Sequence, residues 1–359
     1  MCTGGADGSI RAFVAAGTDG GFGPSALAMA HSGPVKCLSS VASIGGGASP
    51  LLVASGSMDQ TLLTHALVES DDDDDGVSKK GLELRPHAFY AGGHFASLSS
   101  VEMTRVGGSD GNATTMMASG DWDGGLCLWR VPDASIIGED NEEEEEAAEG
   151  RSKKRRGAKS SSSSSSSAAA SRREVEPLST FRAHNSSVSG ISFSHSSSTA
   201  LLTSSWDHSV KVWDLQRLDC VLTLNGSRVV TAMGRCSNSD VVATGHPDCA
   251  VRLWDLRVSM SSKNDKGGSG GKASGTVSDN TLKPSHKAWV SAVQWSPTNP
   301  YTLVTSSHDG TVKTWDIRSS LPLHTVRAHP RGEKGLCLAY GDGCVYGGGT
   351  DCVVKRFAC

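Results

Sequence analysis

The sequence has few aromatic residues and no long apolar run. Phe, Trp and Tyr make up 5% of the 359 residues, and hydrophobic residues of all kinds make up 37%. This composition argues against a compact, leucine-rich helical protein. No run reaches the roughly 18 apolar residues that a membrane-spanning helix needs, and Met1 to Ile10 lacks the pattern of a signal peptide. We therefore expect a soluble protein that is not secreted.

The sequence also lacks a strong charge bias and the common catalytic and metal-binding motifs. It has 34 basic and 38 acidic residues, for a net charge of −4, which excludes a uniformly basic nucleic-acid-binding chain. None of the ten cysteines forms a C-x-x-C pair, the usual source of zinc ligands. No nucleophile elbow, H-E-x-x-H motif or dinucleotide fingerprint is present. We predict no enzyme activity, no metal and no cofactor.

The chain is rich in glycine, with 42 residues, and it contains a repeated pattern around seven aspartates. An apolar residue follows each aspartate by three positions and an aromatic residue by six, if His65 is counted once as aromatic. This spacing predicts a short strand launched from a tight turn. The turn aspartates are Asp7, Asp59, Asp123, Asp207, Asp248, Asp309 and Asp351.

Five of these aspartates have a histidine 22 to 29 residues upstream. These loop histidines are His31, His94, His184, His286 and His329. A catalytic or metal site occurs once in a chain, whereas a residue that recurs in every unit supports the unit itself. We therefore expect each carboxylate to accept turn N–H groups and to bond its histidine, which ties the inner strands to the edge of the unit.

The spacing of the aspartates indicates the size of the repeating unit. The two regular intervals, Asp207 to Asp248 and Asp309 to Asp351, are 41 and 42 residues long, the length of a four-stranded propeller blade. Longer intervals contain insertions. Segment 133–177 has an acidic block, a basic cluster and a serine run, and 259–282 is a Gly/Ser/Lys linker; we expect both to lack fixed structure. The basic cluster is a candidate nuclear-localisation signal formed by Lys153, Lys154, Arg155 and Arg156.

These features resemble the WD-repeat family, whose dipeptide occurs as Trp213-Asp214, Trp254-Asp255 and Trp315-Asp316. The resemblance implies an all-β fold, a seven-bladed WD-repeat β-propeller over residues 1–359. Met1 lies only six residues before Asp7. We therefore expect the first blade to be incomplete at the N-terminus, without its innermost strand.

Irregular features resemble one branch of that family, the ribosome-biogenesis WD-repeat proteins of the PeBoW complex. They are Asp121-Trp122-Asp123, Trp206-Asp207, Asn225-Gly226 in place of the usual Gly-His, and the acidic-then-basic insertion. The resemblance implies a non-catalytic assembly factor for the large (60S) ribosomal subunit and pre-rRNA maturation, located in the nucleus, nucleolus and nucleoplasm. It implies three partners: a block-of-proliferation-type WD-repeat protein, a pescadillo-type protein and the pre-60S ribonucleoprotein.

Two further points concern partners. The family's N-terminal ubiquitin-like domain, which engages the ATPase midasin, has no room ahead of Asp7, so we do not expect midasin to bind this chain. An alternative function comes from Arg257 and Arg318, which complete W-D-x-R boxes like those of WD-repeat substrate receptors of cullin-ring ubiquitin ligases. The repeat pattern does not mark interface residues, so it leaves the binding face undetermined.

Overall fold

The structure is a computed structural model. It describes residues 1–16, 21–42, 50–72, 79–107, 114–133, 173–194, 200–237, 239–256, 273–275, 280–282, 286–319, 321–341 and 343–358. Across these residues the chain forms strands joined by turns and loops. None of the described segments forms a helix with the length and apolarity needed to cross a membrane.

The described residues contain 28 strands. In chain order they are β1 (Cys2–Gly4), β2 (Ser9–Ala16), β3 (Gly21–Met29), β4 (Val35–Ala42), β5 (Leu51–Ser57), β6 (Leu62–Asp72), β7 (Lys79–Tyr90), β8 (Leu98–Val106), β9 (Thr114–Asp121), β10 (Gly125–Val131), β11 (Arg173–Val175), β12 (Ser179–Arg182), β13 (Val188–Phe193), β14 (Ala200–Ser205), β15 (Ser209–Asp214), β16 (Asp219–Asn225), β17 (Ala232–Arg235), β18 (Val241–Gly245), β19 (Val251–Asp255), β20 (Ala273–Gly275), β21 (Asn280–Leu282), β22 (Val290–Trp295), β23 (Thr302–Ser307), β24 (Thr311–Asp316), β25 (Pro322–Arg327), β26 (Gly335–Gly341), β27 (Cys344–Gly349) and β28 (Val354–Ala358).

The strands form seven sheets, which we number along the chain as blades 1 to 7. Their strand orders are β1-β2-β3, β4-β5-β6-β7-β11, β8-β9-β10-β12, β13-β14-β15-β16-β20, β17-β18-β19-β21, β22-β23-β24-β25 and β26-β27-β28. Nearly all pairings are antiparallel between consecutive strands, as in a meander. The predicted all-β, seven-bladed propeller is confirmed.

The middle strands of a blade are buried on both faces, because each blade is packed between two others. In β14 every residue from Leu201 to Ser205 is buried. In β15 Val210, Val212 and Trp213 are buried, while Lys211 between them is half-buried. Burial on both faces explains why these strands combine apolar residues with Ser and Thr, whose small side chains can be hydrogen-bonded locally.

Six hydrophobic clusters lie between consecutive blades, from the pair 1 and 2 to the pair 6 and 7. Four of them contain a buried tryptophan of the repeat: Trp129, Trp213, Trp254 and Trp315. Within the described ranges, no such cluster joins blade 7 to blade 1. The core of the molecule is therefore a series of interfaces, each of which needs both of its blades.

Blades 1 and 7 each have three strands. Blade 1 begins with β1, the strand before the turn of Asp7. Within the described residues, blade 1 therefore has no strand on the inner side of β1. Blade 7 ends with β28, the strand that follows Asp351. The exposed apolar residues Leu323, Val326 and Val353 lie on the outer strand of blade 6 and beside β28.

The two predicted insertions lie largely outside the described residues, but their ends contain strands. Arg173–Val175 form β11, which pairs in parallel with β7. Ala273–Gly275 form β20, which pairs in parallel with β16, and Asn280–Leu282 form β21 at the edge of blade 5. These three strands lie within the predicted insertions 133–177 and 259–282, whose residues 134–172, 259–272 and 276–279 are outside the described ranges. Backbone pairing to an open strand edge needs no side-chain pattern, so the sequence contained no sign of these strands.

Candidate functional site: the turn face

The loops that hold the histidines and the turns that hold the aspartates lie at the same end of the sheets. We call this end the turn face. Hydrogen bonds join its parts. Within blade 3 the N–H of Trp122 donates to the carbonyl of Ser97, and from blade 3 to blade 2 Ser97 Oγ donates to the carbonyl of Met58 at 2.9 Å. The turn face is therefore one continuous surface across blades 2 and 3.

Blade 4 shows how a turn is fixed. The indole Nε1–H of Trp213 donates to Thr203 Oγ1 at 2.9 Å, and Thr203 Oγ1 lies 2.7 Å from His184 Nε2. His184 Nδ1 lies 2.9 Å from Asp207 Oδ2. With Asp207 ionised, Nδ1 is the donor, so Nε2 accepts the threonine hydroxyl proton. Donors and acceptors thus match along one chain from the core tryptophan to the surface turn.

The pKa values of this pair fit that assignment. Burial acts to raise the pKa of Asp207, but hydrogen bonds from His184 and Ser209 outweigh it and hold the pKa well below its usual range. Burial lowers the pKa of His184 in spite of the neighbouring carboxylate. The pair therefore consists of a neutral imidazole and a carboxylate. Asp207 also accepts the N–H groups of Ser209 and Asn185, so its oxygens are used within the turn.

Blade 6 repeats this arrangement. Trp315 Nε1 donates to Thr305 Oγ1 at 2.9 Å, and His286 Nε2 lies 2.8 Å from the same oxygen. His286 Nδ1 lies 3.1 Å from Thr311 Oγ1 and 3.4 Å from Asp309 Oδ2. The predicted pair of His286 and Asp309 is thus brought together, with Thr311 between the two groups.

In blade 3 the structure departs from the predicted pairing. His94 Nδ1 lies 2.8 Å from Asp121 Oδ2, and Asp121 is 5% exposed. Asp123, the residue that the spacing selects, is exposed, and its own N–H donates to Asp121 Oδ1. The physical reason is that Asp121 ends β9, two residues after Ser119, whose Oγ bonds His94 Nε2. Other blades have serine at this place, namely Ser57, Ser205 and Ser307.

Blade 5 has no loop histidine, and a different histidine fills its place. His246 Nε2 lies 2.8 Å from Thr244 Oγ1, which also accepts the Nε1–H of Trp254 at 2.7 Å. His246 Nδ1 lies 2.8 Å from the carbonyl of Val229. Burial and the nearby Arg252 lower the pKa of His246 to about 4. The turn aspartate Asp248 pairs instead with Arg252, at 2.6 Å.

The remaining predicted residues lie in blades 1, 2 and 7. Asp7 bonds Ser9 and Arg11 in its own turn. In blade 2, His31 Nε2 bonds Ser55 Oγ at 2.8 Å, and Asp59 Oδ1 is 3.6 Å from His31 Nδ1.

In blade 7, His329 Nδ1 lies 2.9 Å from Asp351. Its other ring nitrogen, Nε2, is buried and has no hydrogen-bond partner among the described residues. Gly347 stands where the other blades have serine or threonine, and it has no hydroxyl to offer.

These networks hold turns in place. Each carboxylate described above, except that of exposed Asp123, is bonded by turn N–H groups, hydroxyls, histidine or arginine. In the described part of the chain, no group of three His, Cys, Asp or Glu residues could hold a metal ion. A further polar cluster joins blades 3, 4 and 5. There, burial raises the pKa of Glu102 to about 8, and Arg235 bonds the carbonyl of Phe193.

The turn face presents several large apolar side chains to solvent. Five large side chains are exposed there: Met58 (36%), Phe95 (86%), Trp122 (46%), Trp206 (45%) and Trp289 (46%). Three of them, Met58, Trp122 and Trp206, come directly before a turn aspartate. Tryptophan before this aspartate was a visible signal in the sequence, but the repeat pattern alone did not say whether the ring faces solvent.

The other predicted residues fall in two groups. The basic cluster 153–156 and Arg257 lie outside the described residues. Arg318 bonds Asp316 at 2.7 Å, and its guanidinium lies 4.3 Å from the centre of the Tyr301 ring. Arg318 is thus engaged with its own blade.

Comparison with known proteins adds to this geometry. The family model "WD domain, G-beta repeat" matches residues 175–214, 218–255 and 274–316. The chain is 30% identical over 264 residues to the ribosome biogenesis protein WDR12 homolog of Nematostella vectensis, which covers 72% of this chain and 53% of that protein. It is 31% identical over 260 residues to the homolog of Oryza sativa subsp. japonica, covering 71% and 50%.

A third similarity is to the ribosome biogenesis protein YTM1 of Saccharomyces cerevisiae, at 32% identity over 165 residues, 46% of this chain and 33% of that protein. The chain spans about half or less of the length of these curated relatives. The repeat matches, the seven blades and the buried tryptophan networks all indicate WD repeats. The chain contains WD repeats and is similar to the ribosome biogenesis proteins WDR12 and YTM1.

Proposed function

We propose that this protein is a non-catalytic assembly factor for the large ribosomal subunit. It acts as a propeller scaffold that binds other proteins in the nucleolus. The observation that carries this proposal is the similarity to relatives named for ribosome biogenesis, which covers up to 72% of the chain. The exposed aromatic side chains of the turn face support it, because apolar patches on a soluble domain mark surfaces that bind partners.

The partners that we propose are a block-of-proliferation-type WD-repeat protein, a pescadillo-type protein and the pre-60S ribonucleoprotein. The test is affinity purification of the tagged chain from nuclear extract, followed by mass spectrometry and probing for pre-rRNA. We expect both proteins and large-subunit pre-rRNA to be recovered. Recovery of neither protein would contradict the proposal.

The ubiquitin-ligase alternative makes a different prediction for the same purification. It requires a cullin-ring ligase among the recovered proteins, and loss of that ligase on charge reversal at Arg257 and Arg318. The names of the relatives favour the assembly role, and Arg318 already bonds Asp316. A cullin recovered without ribosome assembly factors would reverse this preference.

For location, we propose that Lys153, Lys154, Arg155 and Arg156 form the import signal. Changing all four to alanine should lower the nuclear fraction of a fluorescently tagged chain. The matched control changes the nearby acidic run 142–146 to glutamine, which leaves the basic cluster intact. An unchanged nuclear fraction in the alanine variant would mean that a partner carries the protein into the nucleus.

A further inference from the structure

One sector of the turn face combines exposed aromatic rings with negative charge. It consists of the loops and turns of blades 2 to 4, residues 30–34, 58–61, 91–97, 121–124, 183–187 and 205–208, and we call it the aromatic sector. Its exposed apolar residues are Met58, Phe95, Trp122 and Trp206. Exposed rings of this size in a rim of polar groups are typical of binding surfaces.

The sector is physically continuous. Ser97 joins the loop of blade 3 to Met58 of blade 2, and its carbonyl accepts the N–H of Trp122. On the other side, Ser99 Oγ donates to the carbonyl of Val188 at the start of blade 4. The loop of blade 4 holds the next turn, because the carbonyl of Ser187 accepts the N–H of Trp206. The indole rings therefore project from a backbone fixed by hydrogen bonds across three blades.

The charge of the sector has one sign. Its segments contain four carboxylates, Asp59, Asp121, Asp123 and Asp207, and neither lysine nor arginine. Burial acts to raise the pKa of Asp59 and of Asp121, but hydrogen bonds to their carboxylates outweigh it and lower both. Asp123 is exposed beside Trp122.

Three basic side chains lie close to the sector but outside its segments, against four carboxylates within them. Arg182 and Lys211 bond the carbonyls of His184 and Ala183 at 3.2 and 2.6 Å. Lys36 lies at the start of β4. Further cations of the turn face lie on the opposite side, in the loops of blades 5 to 7, which carry Arg228, Lys287, Arg331 and Lys334. Of these, Arg228 lies 3.8 Å from Asp248.

We propose that the aromatic sector binds an extended segment of a protein partner that carries arginine or lysine side chains. A guanidinium or ammonium group lies on the face of Trp122 or Trp206, where the ring quadrupole attracts a cation within about 6 Å. Asp123 supplies the countercharge, and Phe95 and Met58 cover apolar residues of the segment. This inference deepens the proposed function by giving the chemistry of one partner contact.

The charge of the sector also selects against nucleic acid. Single-stranded RNA stacks its bases on exposed aromatic rings, but it needs a positively charged groove for its phosphates. Here the acidic and basic side chains within the sector are all carboxylates. A basic peptide can therefore contact the rings and pair with the carboxylates. An RNA strand can stack on the rings, but the carboxylates repel its phosphates.

The test uses the purified full chain and three labelled probes: a short peptide of alternating arginine and alanine, the same peptide with glutamate for arginine, and oligouridylate. We expect the arginine peptide alone to bind, with an affinity that falls as salt rises. The double variant W122A/W206A should weaken it about tenfold. Asp123→Lys, which keeps both rings, should weaken it as well.

Trp289→Ala is the matched control. Trp289 has the same exposure as Trp122 and lies on the same face, but it belongs to blade 6 and stacks on His308 with ring centres 6.1 Å apart. This variant should bind the arginine peptide as the unchanged chain does. Circular dichroism and thermal melting of every variant check that the fold is retained.

Two results would overturn the inference: an arginine-peptide affinity unchanged by W122A/W206A, or oligouridylate binding that depends on these two tryptophans. The purified-chain assay is independent of the proposed function. If nuclear purification recovers no assembly factor but the arginine peptide binds through Trp122 and Trp206, the proposed function fails and the site remains. If the assembly factors are recovered equally by W122A/W206A and the peptide does not bind, the site fails and the function remains.

Discussion

His94 donates its Nδ1 proton to Asp121, which lies two residues ahead of the aspartate that the repeat spacing selects. Asp121 accepts two further hydrogen bonds, from the N–H groups of Asp123 and Gly125, at 3.0 and 2.7 Å. One buried carboxylate thus fixes both the histidine and the turn of blade 3. Asp123 is left free to face solvent beside Trp122.

The first prediction compares these two aspartates. Asp121→Asn replaces one acceptor oxygen with an NH2 group, which faces either the His94 donor or the backbone N–H groups. We expect a loss of about 1.5–3 kcal/mol in the free energy of unfolding. Asp123→Asn, at an exposed site, should change it by no more than about 0.5 kcal/mol. Urea unfolding followed by fluorescence measures both, and the opposite ranking would assign the structural role to Asp123.

A second prediction concerns the hydrogen-bond chain of blade 4. Thr203→Val keeps the volume but removes the hydroxyl between Trp213 Nε1 and His184 Nε2. Two buried polar groups then lose their partner, which should cost about 2–4 kcal/mol. Thr180→Val is the control, because Thr180 is exposed on β12, and it should be nearly neutral. Equal stabilities of the two variants would show that Thr203 does not link the core to the turn.

These contacts also show how far sequence reasoning reaches. The seven turns were predictable because each unit repeats the same spacing of aspartate, apolar residue and aromatic residue, and that spacing is fixed by the geometry of one strand. The role of Asp121 was not, since a carboxylate can reach a histidine from either of two neighbouring places in the turn. Asp121 pairs with His94 because it is the last residue of β9, and where a strand ends depends on the three-dimensional fold.

His246 and the two added strands show the same limit. His246 replaces a loop histidine from a different element, so the substitution leaves no trace in the spacing of the repeat. Strands β11 and β20 join their blades by backbone pairing in parallel, and short polar sequences such as Arg173–Val175 carry no alternating pattern. The sequence predicted that histidines and aspartates would form hydrogen-bonded pairs in the blades. Which residues form the network in blades 3 and 5 depends on which side chains the fold places within hydrogen-bond distance.

The third prediction is a pH dependence carried by His246. Its pKa is about 4 in the folded chain, lowered by burial and by Arg252, against about 6.5 for an unperturbed histidine. Between these values the unfolded chain binds the proton and the folded chain does not. His246 therefore contributes stability that is fully present above pH 6.5 and is lost as the pH falls toward 4.

Removing the ionisable group should flatten this part of the profile. His246→Gln keeps a polar side chain near Thr244 and Val229, and the free energy of unfolding should fall less between pH 7 and pH 4 than in the unchanged chain. His324→Gln, on the exposed strand β25, is the control and should keep the original slope. Parallel profiles for all three chains would show that His246 does not titrate abnormally.

The last prediction is a gain of stability in blade 7. His329 Nδ1 bonds Asp351, but its buried Nε2 has no hydrogen-bond partner in the part of the chain that the structure describes. In blades 2 and 3 the equivalent ring nitrogen bonds a serine hydroxyl at 2.8 and 2.6 Å. Gly347 holds the matching place in β27. A Cβ there would lie 3.3 Å from Phe357 and 3.5 Å from Leu338, which requires only a small shift of the phenyl ring.

Gly347→Ser should therefore give His329 Nε2 a hydroxyl donor and raise the free energy of unfolding by about 1 kcal/mol. The control is Gly341→Ser, the same change in the same blade, where the nearest side chain is Tyr346 at 3.5 Å. Both variants replace a strand glycine with serine and so change the conformational entropy of the chain alike. The difference between their free energies of unfolding therefore isolates the new hydrogen bond. If Gly347→Ser is no more stable than Gly341→Ser, the unpartnered nitrogen costs the fold nothing, and the histidine network of blade 7 is complete with Asp351 alone.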